Sequence, residues 1–195
     1  MTINGLMGRD LNCKTAGVIG TGKIGAAMIR ILKGFQMRIL AYDVYQDPSL
    51  DVEYVSLDEL FEKSDVITLH CPLNEATKYI INKDSIAKMK DGVILANTSR
   101  GGLIHTADLI DGLIEKKFSG VGLDVYEEED EFVYEDKSND IMEEEAIARL
   151  VTFPNVIVTA HQGFFTREAM QAIALETLEN AYAWDHGMEL HNQVL

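Results

Sequence analysis

The scarcities narrow the reading first. Only two cysteines, Cys13 and Cys71, occur in 195 residues. They form no CxxC pair, so no thiolate metal site or disulfide framework is available, and a reducing compartment is expected. No apolar run reaches the roughly 18 residues that mark a membrane span. Met1-Thr2-Ile3-Asn4 does not open a charged-then-apolar signal segment. A cytoplasmic location with no membrane partner is the expectation. Basic residues are few: 17 Lys and Arg stand against 32 Asp and Glu, a formal net charge of −15. Phosphate contact needs clustered Lys and Arg, so no nucleic-acid partner is expected. Much of the acid lies in one stretch, since residues 127–145 hold eleven acids and one lysine. That stretch reads as a solvated loop, and the remainder carries an ordinary charge for a soluble domain.

What is present is a 47% hydrophobic content, enough for one substantial core. It is organised around Val18-Ile19-Gly20-Thr21-Gly22-Lys23-Ile24-Gly25. Ala16–Ile19 is a short apolar run suited to a buried strand, and Ala26 to Leu32 opens an apolar-rich helix. Between them Gly20, Gly22 and Gly25 form G-x-G-x-x-G. Gly20 permits a tight turn, Gly22 admits a pyrophosphate to the backbone, and Gly25 lets helix and strand pack closely. A bare glycine loop is the plain alternative for this hexapeptide alone. The next apolar run, Met37–Tyr42, strengthens the dinucleotide reading because it ends at Asp43. An acid there accepts hydrogen bonds from the adenosine ribose and repels a 2′-phosphate, favouring NAD over NADP.

Strands and helices then alternate. Strands are predicted over Ala16–Ile19, Met37–Tyr42, Val66–His70, Gly92–Asn97, Ser119–Val125 and Val156–Thr159. Helices are predicted over Ile24–Phe35, Leu57–Lys63 with Ser56 as cap, Lys83–Met89, Thr106–Lys116, Glu143–Leu150 and Thr166 to about Trp184. Continuous apolar strands alternating with amphipathic helices predict an α/β fold, a doubly wound parallel sheet with helices on both faces. Ligands of such sheets bind at the carboxyl ends of the strands. The polar residues gather there: Asp43, His70-Cys71-Pro72, Asn97-Thr98-Ser99-Arg100, Asp124 and His161 each follow a predicted strand.

Three residues of this rim suggest chemistry. Arg100 can bind a carboxylate through two parallel hydrogen bonds. His161 can donate a proton to a ketone oxygen, and a carboxylate such as Glu129 can orient it and favour its protonated form. Each has a plain alternative alone: a surface arginine, a structural histidine and a solvated acid. Together they suit a 2-oxo acid, whose carboxylate and ketone are adjacent. Cofactor and substrate would both be anionic, so Lys23 and Arg100 must offset the negative chain locally.

GVIGTGKIG, TLHCPLN, NTSRGGLI, GVGLDVYEEE and TAHQGFFTREA occur in this order. Together they resemble the D-isomer-specific 2-hydroxyacid dehydrogenases, and the fermentative D-lactate dehydrogenases among them. FVYEDKSNDIMEEEAIARL, between Asp124 and His161, is similar to that subgroup in particular. The resemblance implies a Rossmann-type fold, NAD as cofactor and a small 2-oxo or 2-hydroxy acid such as pyruvate as substrate. It implies Arg100, Glu129 and His161 as catalytic residues. It implies Gly20, Gly22, Lys23, Ile24, Gly25, Asp43, Cys71, Pro72, Thr77, Thr98, Ser99, Arg100 and Asp124 as cofactor-binding residues, with no metal ligand.

Three departures accompany it. Cys13 stands where the family usually has Gly, and His105 where it usually has Asp. The family also has a substrate domain built mostly ahead of the glycine turn. Because that turn begins here at residue 20, the resemblance implies a form lacking that domain, with NAD binding and weak or no turnover. Residues 1–165 are then the NAD-binding domain, and 166–195 a helix and tail that in the family join the substrate domain. The apolar residues Met170, Ile173, Ala174, Leu178, Ala181 and Tyr182 of that helix either pack on their own sheet or form a strip inviting a homodimer. A stand-alone dinucleotide-binding module or subunit without catalysis is the alternative function.

Overall fold

The computed structural model describes residues 8–127, 145–190, 192 and 193. Its sheet contains seven strands, all parallel: β1 Thr15–Ile19, β2 Arg38–Tyr42, β3 Glu53–Tyr54, β4 Val66–Leu69, β5 Val93–Asn97, β6 Phe118–Leu123 and β7 Val156–Val158. Their spatial order is β3-β2-β1-β4-β5-β6-β7. The order reverses beside β1, which opens a crevice between β1 and β4 at the ends of the strands. This is the doubly wound sheet expected from the alternating apolar runs, with one strand more. β3 has two residues, too few for any periodicity, and it forms only because Tyr54 pairs opposite Ala41.

The helices are α1 Lys23–Gly34, α2 Leu57–Lys63, α3 Lys83–Lys88, α4 Thr106–Ile114, α5 Glu145–Leu150 and α6 Arg167–Asp185. Two short 3-10 turns, Pro48–Leu50 and Gly101–Leu103, were not anticipated. Strand alternation splits the core between the two faces of the sheet. Ala16 and Val18 point to one face and pack with Ile29 and Leu32 of α1. Ile19 points to the other, where Leu60 and Phe61 of α2, Ile86 of α3, and Leu109 and Leu113 of α4 pack with Leu69 and Leu95. Gly17 lies against this second layer, since a Cβ there would meet the Ser64 hydroxyl at 2.4 Å and Leu60 at 2.5 Å.

Register decides which residues share the functional rim. Tyr42 lies opposite Ile19, Ile19 opposite Leu69, Leu69 opposite Asn97, and Asn97 opposite Leu123. The residues that follow, Asp43, Gly20, His70, Thr98 and Asp124, therefore leave the sheet at one level. The chain divides into two compact units, Met1–Ala160 and His161–Leu195. The first holds the whole sheet. The second holds α6, whose amino end is capped by Thr166 accepting from the Ala169 amide at 3.2 Å. Among the described residues no helix is long and apolar enough to cross a membrane.

Candidate active site

The glycine turn has the form its spacing predicts. Gly20 adopts φ +92°, a left-handed conformation that strains any other residue. A Cβ on Gly20 would also lie 2.4 Å from the Cys71 amide nitrogen, and one on Gly25 1.9 Å from the Gly20 carbonyl oxygen. Gly20 thus lets the turn pass against the backbone that follows β4, and Gly25 lets α1 start against the turn itself. Gly22 differs, because nothing lies within 4 Å of a Cβ built there. Gly22 is the N-cap of α1, no side chain caps that end, and the first turn has no acid. The helix end is open to an anion, which gains from the amide dipoles. Lys23 and Ile24, both exposed, follow at once; Ile24 is 68% exposed.

Beside the turn, Asp43 is held in one orientation. Its Oδ2 accepts from the Thr21 amide at 2.6 Å and the Thr21 hydroxyl at 3.0 Å, and its Oδ1 from the Tyr45 amide at 2.9 Å. Partial burial works to raise its pKa. The donors of Thr21, Tyr45 and Val44 outweigh this and hold it below the usual carboxylate value. An ionised carboxylate offers about four lone-pair positions, so capacity remains for a ribose hydroxyl.

Across the crevice, the His70 amide donates to the Ile19 carbonyl at 2.7 Å, and its Nε2 pairs with the Thr68 hydroxyl at 2.9 Å. His70 Nδ1 is buried and has no hydrogen-bond partner among the described residues. Burial lowers the pKa of His70, which favours a neutral ring. Cys71 is buried, and burial pushes its thiol up to about 11. It is a small apolar wall residue and not a nucleophile. Pro72 is exposed, and its carbonyl accepts from the Thr77 hydroxyl at 2.6 Å. Thr77 thus fastens the turn that follows Pro72.

The Arg100 turn is braced from beneath. Asn97, fully buried, donates from its side chain to the Arg100 carbonyl at 2.8 Å and accepts from the Ser99 amide at 3.1 Å. Ser99 donates its hydroxyl to the Cys71 carbonyl at 2.8 Å, joining the ends of β4 and β5. Thr98 is exposed at the rim. The Arg100 side chain is exposed, with Nη1 donating to the Ser99 carbonyl at 2.8 Å. Arg100 lines a cleft of about 570 Å³ with His70, Pro72, Leu73, Ser99 and Glu127.

Asp124, at the end of β6, is buried, and the Thr159 hydroxyl donates to its Oδ1. Two further residues of the cleft region were missed in the sequence. The Tyr79 hydroxyl donates to Glu127 Oε1, and the Thr106 amide to Glu127 Oε2 at 3.0 Å. Burial works to raise the Glu127 pKa, but Tyr79, the amide and hydroxyl of Thr106, and His105 together hold it low. Within a run of acids nothing marks Glu127 out, and only its place beside Tyr79 does so. His105 packs edge-on against the Tyr79 ring at 4.9 Å, with Nδ1 3.0 Å from Asp108 Oδ2. Gly101 allows the chain after β6 to rest on the Arg100 turn, since a Cβ there would lie 1.8 Å from the Tyr126 carbonyl oxygen.

The first unit therefore brings the glycine turn, Asp43, Cys71, Pro72, Thr98, Ser99, Arg100 and Asp124 to one rim. His161 opens the second unit, with φ +48°. Glu129 lies outside the described residues. The open α1 end, the glycine cradle, the fixed Asp43 and the orphaned His70 nitrogen fit a dinucleotide.

Comparison with known proteins agrees. The family model described as "D-isomer specific 2-hydroxyacid dehydrogenase, NAD binding domain" matches residues 2–163. A 2-hydroxyacid dehydrogenase homolog of Haemophilus influenzae is 48% identical, and a D-lactate dehydrogenase of Escherichia coli 46%. In each case the match covers 100% of this chain and 60% of the relative. The structure described as the pyruvate reductase of Chlamydomonas reinhardtii superposes with a TM-score of 0.92 at 40% identity, covering 98% of this chain and 59% of that one. The chain thus spans about 60% of the length of the curated relatives it matches. With a parallel sheet of this order and a glycine turn of this shape, the chain belongs to the D-isomer-specific 2-hydroxyacid dehydrogenases, and its residues 2–163 match their NAD-binding domain.

Proposed function

We propose that this chain serves NAD-dependent interconversion of a D-2-hydroxy acid and its 2-oxo acid, with pyruvate and D-lactate as the pair. The observation that carries the reading is the Arg100 guanidinium lining a 570 Å³ cleft at the ends of β4, β5 and β6. The glycine turn opens on the same rim. NADH, when bound, supplies the hydride. Arg100 holds the substrate carboxylate by a paired hydrogen bond and draws electron density from the adjacent ketone. His161 donates a proton to the ketone oxygen, and Glu129 orients the imidazole; such proton transfer contributes about 10²–10⁴ in rate. Lys23, Ile24 and the three glycines receive the pyrophosphate, and Asp43 takes the adenosine ribose. Cys71, Pro72 and Thr98 line the cofactor cleft together with Thr77 and Ser99, and Asp124 lies near the nicotinamide.

Binding of NAD needs only the rim of the first unit. Turnover also needs water excluded from the reacting atoms. The protein acts in the cytoplasm, and the apolar spacing along α6 supports a homodimer. Calorimetric titration with NADH, followed by NADH oxidation with pyruvate, tests the reading. Saturable binding with pyruvate-dependent oxidation that Arg100→Gln abolishes supports it. Absence of NADH binding overturns it.

A further inference from the structure

One rim contact extends well beyond the glycine turn. Asp43 Oδ2 takes two donors, both from Thr21: the amide at 2.6 Å and the hydroxyl at 3.0 Å. The Thr21 hydroxyl has a single proton, which goes to the carboxylate. Its oxygen must therefore accept from its other neighbour, and the Tyr54 hydroxyl donates to it at 3.1 Å. The Tyr54 oxygen in turn accepts from the Asp47 amide at 2.9 Å. The Tyr54 hydroxyl also lies 3.4 Å from the Asp47 carbonyl oxygen, but its bond to Thr21 is the shorter of the two, and along it the chain runs from the Asp47 amide to the carboxylate. Bonds aligned in this way polarise one another.

The Asp47 end is fixed as well. Asp47 Oδ1 accepts from the Ser49 amide at 2.9 Å, closing the 3-10 turn Pro48–Leu50. Lys33 of α1 donates to the Leu50 carbonyl at 2.9 Å and the Asp51 carbonyl at 2.7 Å, tying that loop to the cofactor helix. Thr21 is only 5% exposed, so water does not readily replace the Tyr54 hydroxyl beside it. Tyr54 sits on β3, at the edge of the sheet.

We propose that Tyr54 is a positioning residue for dinucleotide choice, setting the Asp43 carboxylate through the Thr21 hydroxyl so that it accepts the adenosine ribose and rejects a 2′-phosphate. This deepens the proposed role of Asp43 and rests on it. Two residues outside the glycine motif, Tyr54 and Asp47, then share in selecting NAD. The Thr21 hydroxyl does more than fill the second position of the turn. It transmits the anchoring of the Pro48–Leu50 loop to the acid.

The test is binding of NADH and of NADPH to the purified 195-residue chain, read as the ratio of the two dissociation constants. Tyr54→Phe removes the hydroxyl and keeps the ring. It should lower the preference for NADH by about three- to tenfold, the worth of one net hydrogen bond. Thr21→Val removes the relay hydroxyl but keeps the amide bond to Asp43 and the buried volume. It should lower the preference at least as far, and adding Tyr54→Phe to it should change the ratio no further, because the two act as one unit. If Tyr54→Phe does not fold, Thr21→Val alone decides. Equal weakening of both cofactors, or an unchanged ratio in Thr21→Val, overturns the proposal. Asp43→Asn separates the two failures. If it leaves the ratio unchanged, the role of Asp43 falls and the relay with it. If it collapses the ratio while Tyr54→Phe and Thr21→Val do not, only the relay falls.

Discussion

Gly25 shows how little room single residues have at this rim. Its missing Cβ leaves space for the Gly20 carbonyl, which would otherwise lie 1.9 Å away. Gly25→Ala must move backbone against backbone, and overpacking of this kind costs about 1–3 kcal/mol. We expect a lower denaturation midpoint together with loss of NADH affinity; Gly22→Ala, with open space around it, should lose affinity while keeping its midpoint. The ionisable residues make a second prediction. Glu127 has a folded pKa below its ordinary value. Its contribution to stability is present above the unfolded carboxylate range and is lost as pH falls through the folded value. Glu127→Gln should therefore flatten the loss of stability below about pH 5. His70 also has a folded pKa below its ordinary value, because burial opposes its charge. The unfolded chain takes up that proton first, so stability falls as pH drops through about 6.5. His70→Gln should remove that earlier slope, and urea titrations from pH 8 to 3 separate the two windows.

At the scale of elements, the short helices depend on their caps. α3 has only six residues, and the Asn82 side chain accepts from the Asp84 amide at 2.9 Å and the Ser85 amide at 3.1 Å, while the Asn82 amide donates to the Ser85 hydroxyl at 2.9 Å. So short a helix has little intrinsic stability. Asn82→Ala should cost about 1–2 kcal/mol in urea unfolding, with the slope unchanged. Caps of this kind were readable in part: Ser56 before Leu57–Lys63 was anticipated and accepts from the Glu59 amide at 3.2 Å. Strands β1, β4 and β5 were also readable, because a strand buried on both faces is a continuous apolar run. β3 was not, since its two residues carry no period and depend on the neighbouring strand. The 3-10 turn at Gly101–Leu103 was equally hidden, because it forms where the chain after β6 lies over Gly101.

At the scale of the molecule, the sheet, the glycine turn and the Arg100 cleft all belong to the unit Met1–Ala160. A chain ending at Ala160 should therefore bind NADH as tightly as the 195-residue chain, by calorimetry under the same conditions. Loss of binding would assign part of the cofactor site to the second unit. The sequence by itself determined the fold class, the order of the main elements, the glycine turn and the place of Asp43 at the end of a strand. These are local matters: apolar runs, glycines at fixed spacing and an acid at the end of a strand are visible one segment at a time. Tertiary structure alone decided that Asp43, Gly20, His70, Thr98 and Asp124 leave the sheet at one level, because register is a property of paired strands. It alone joined Tyr54 to Thr21 and Tyr79 to Glu127. Those partners lie 33 and 48 residues apart, and hydrogen bonds over such separations exist only once the sheet has brought distant segments together.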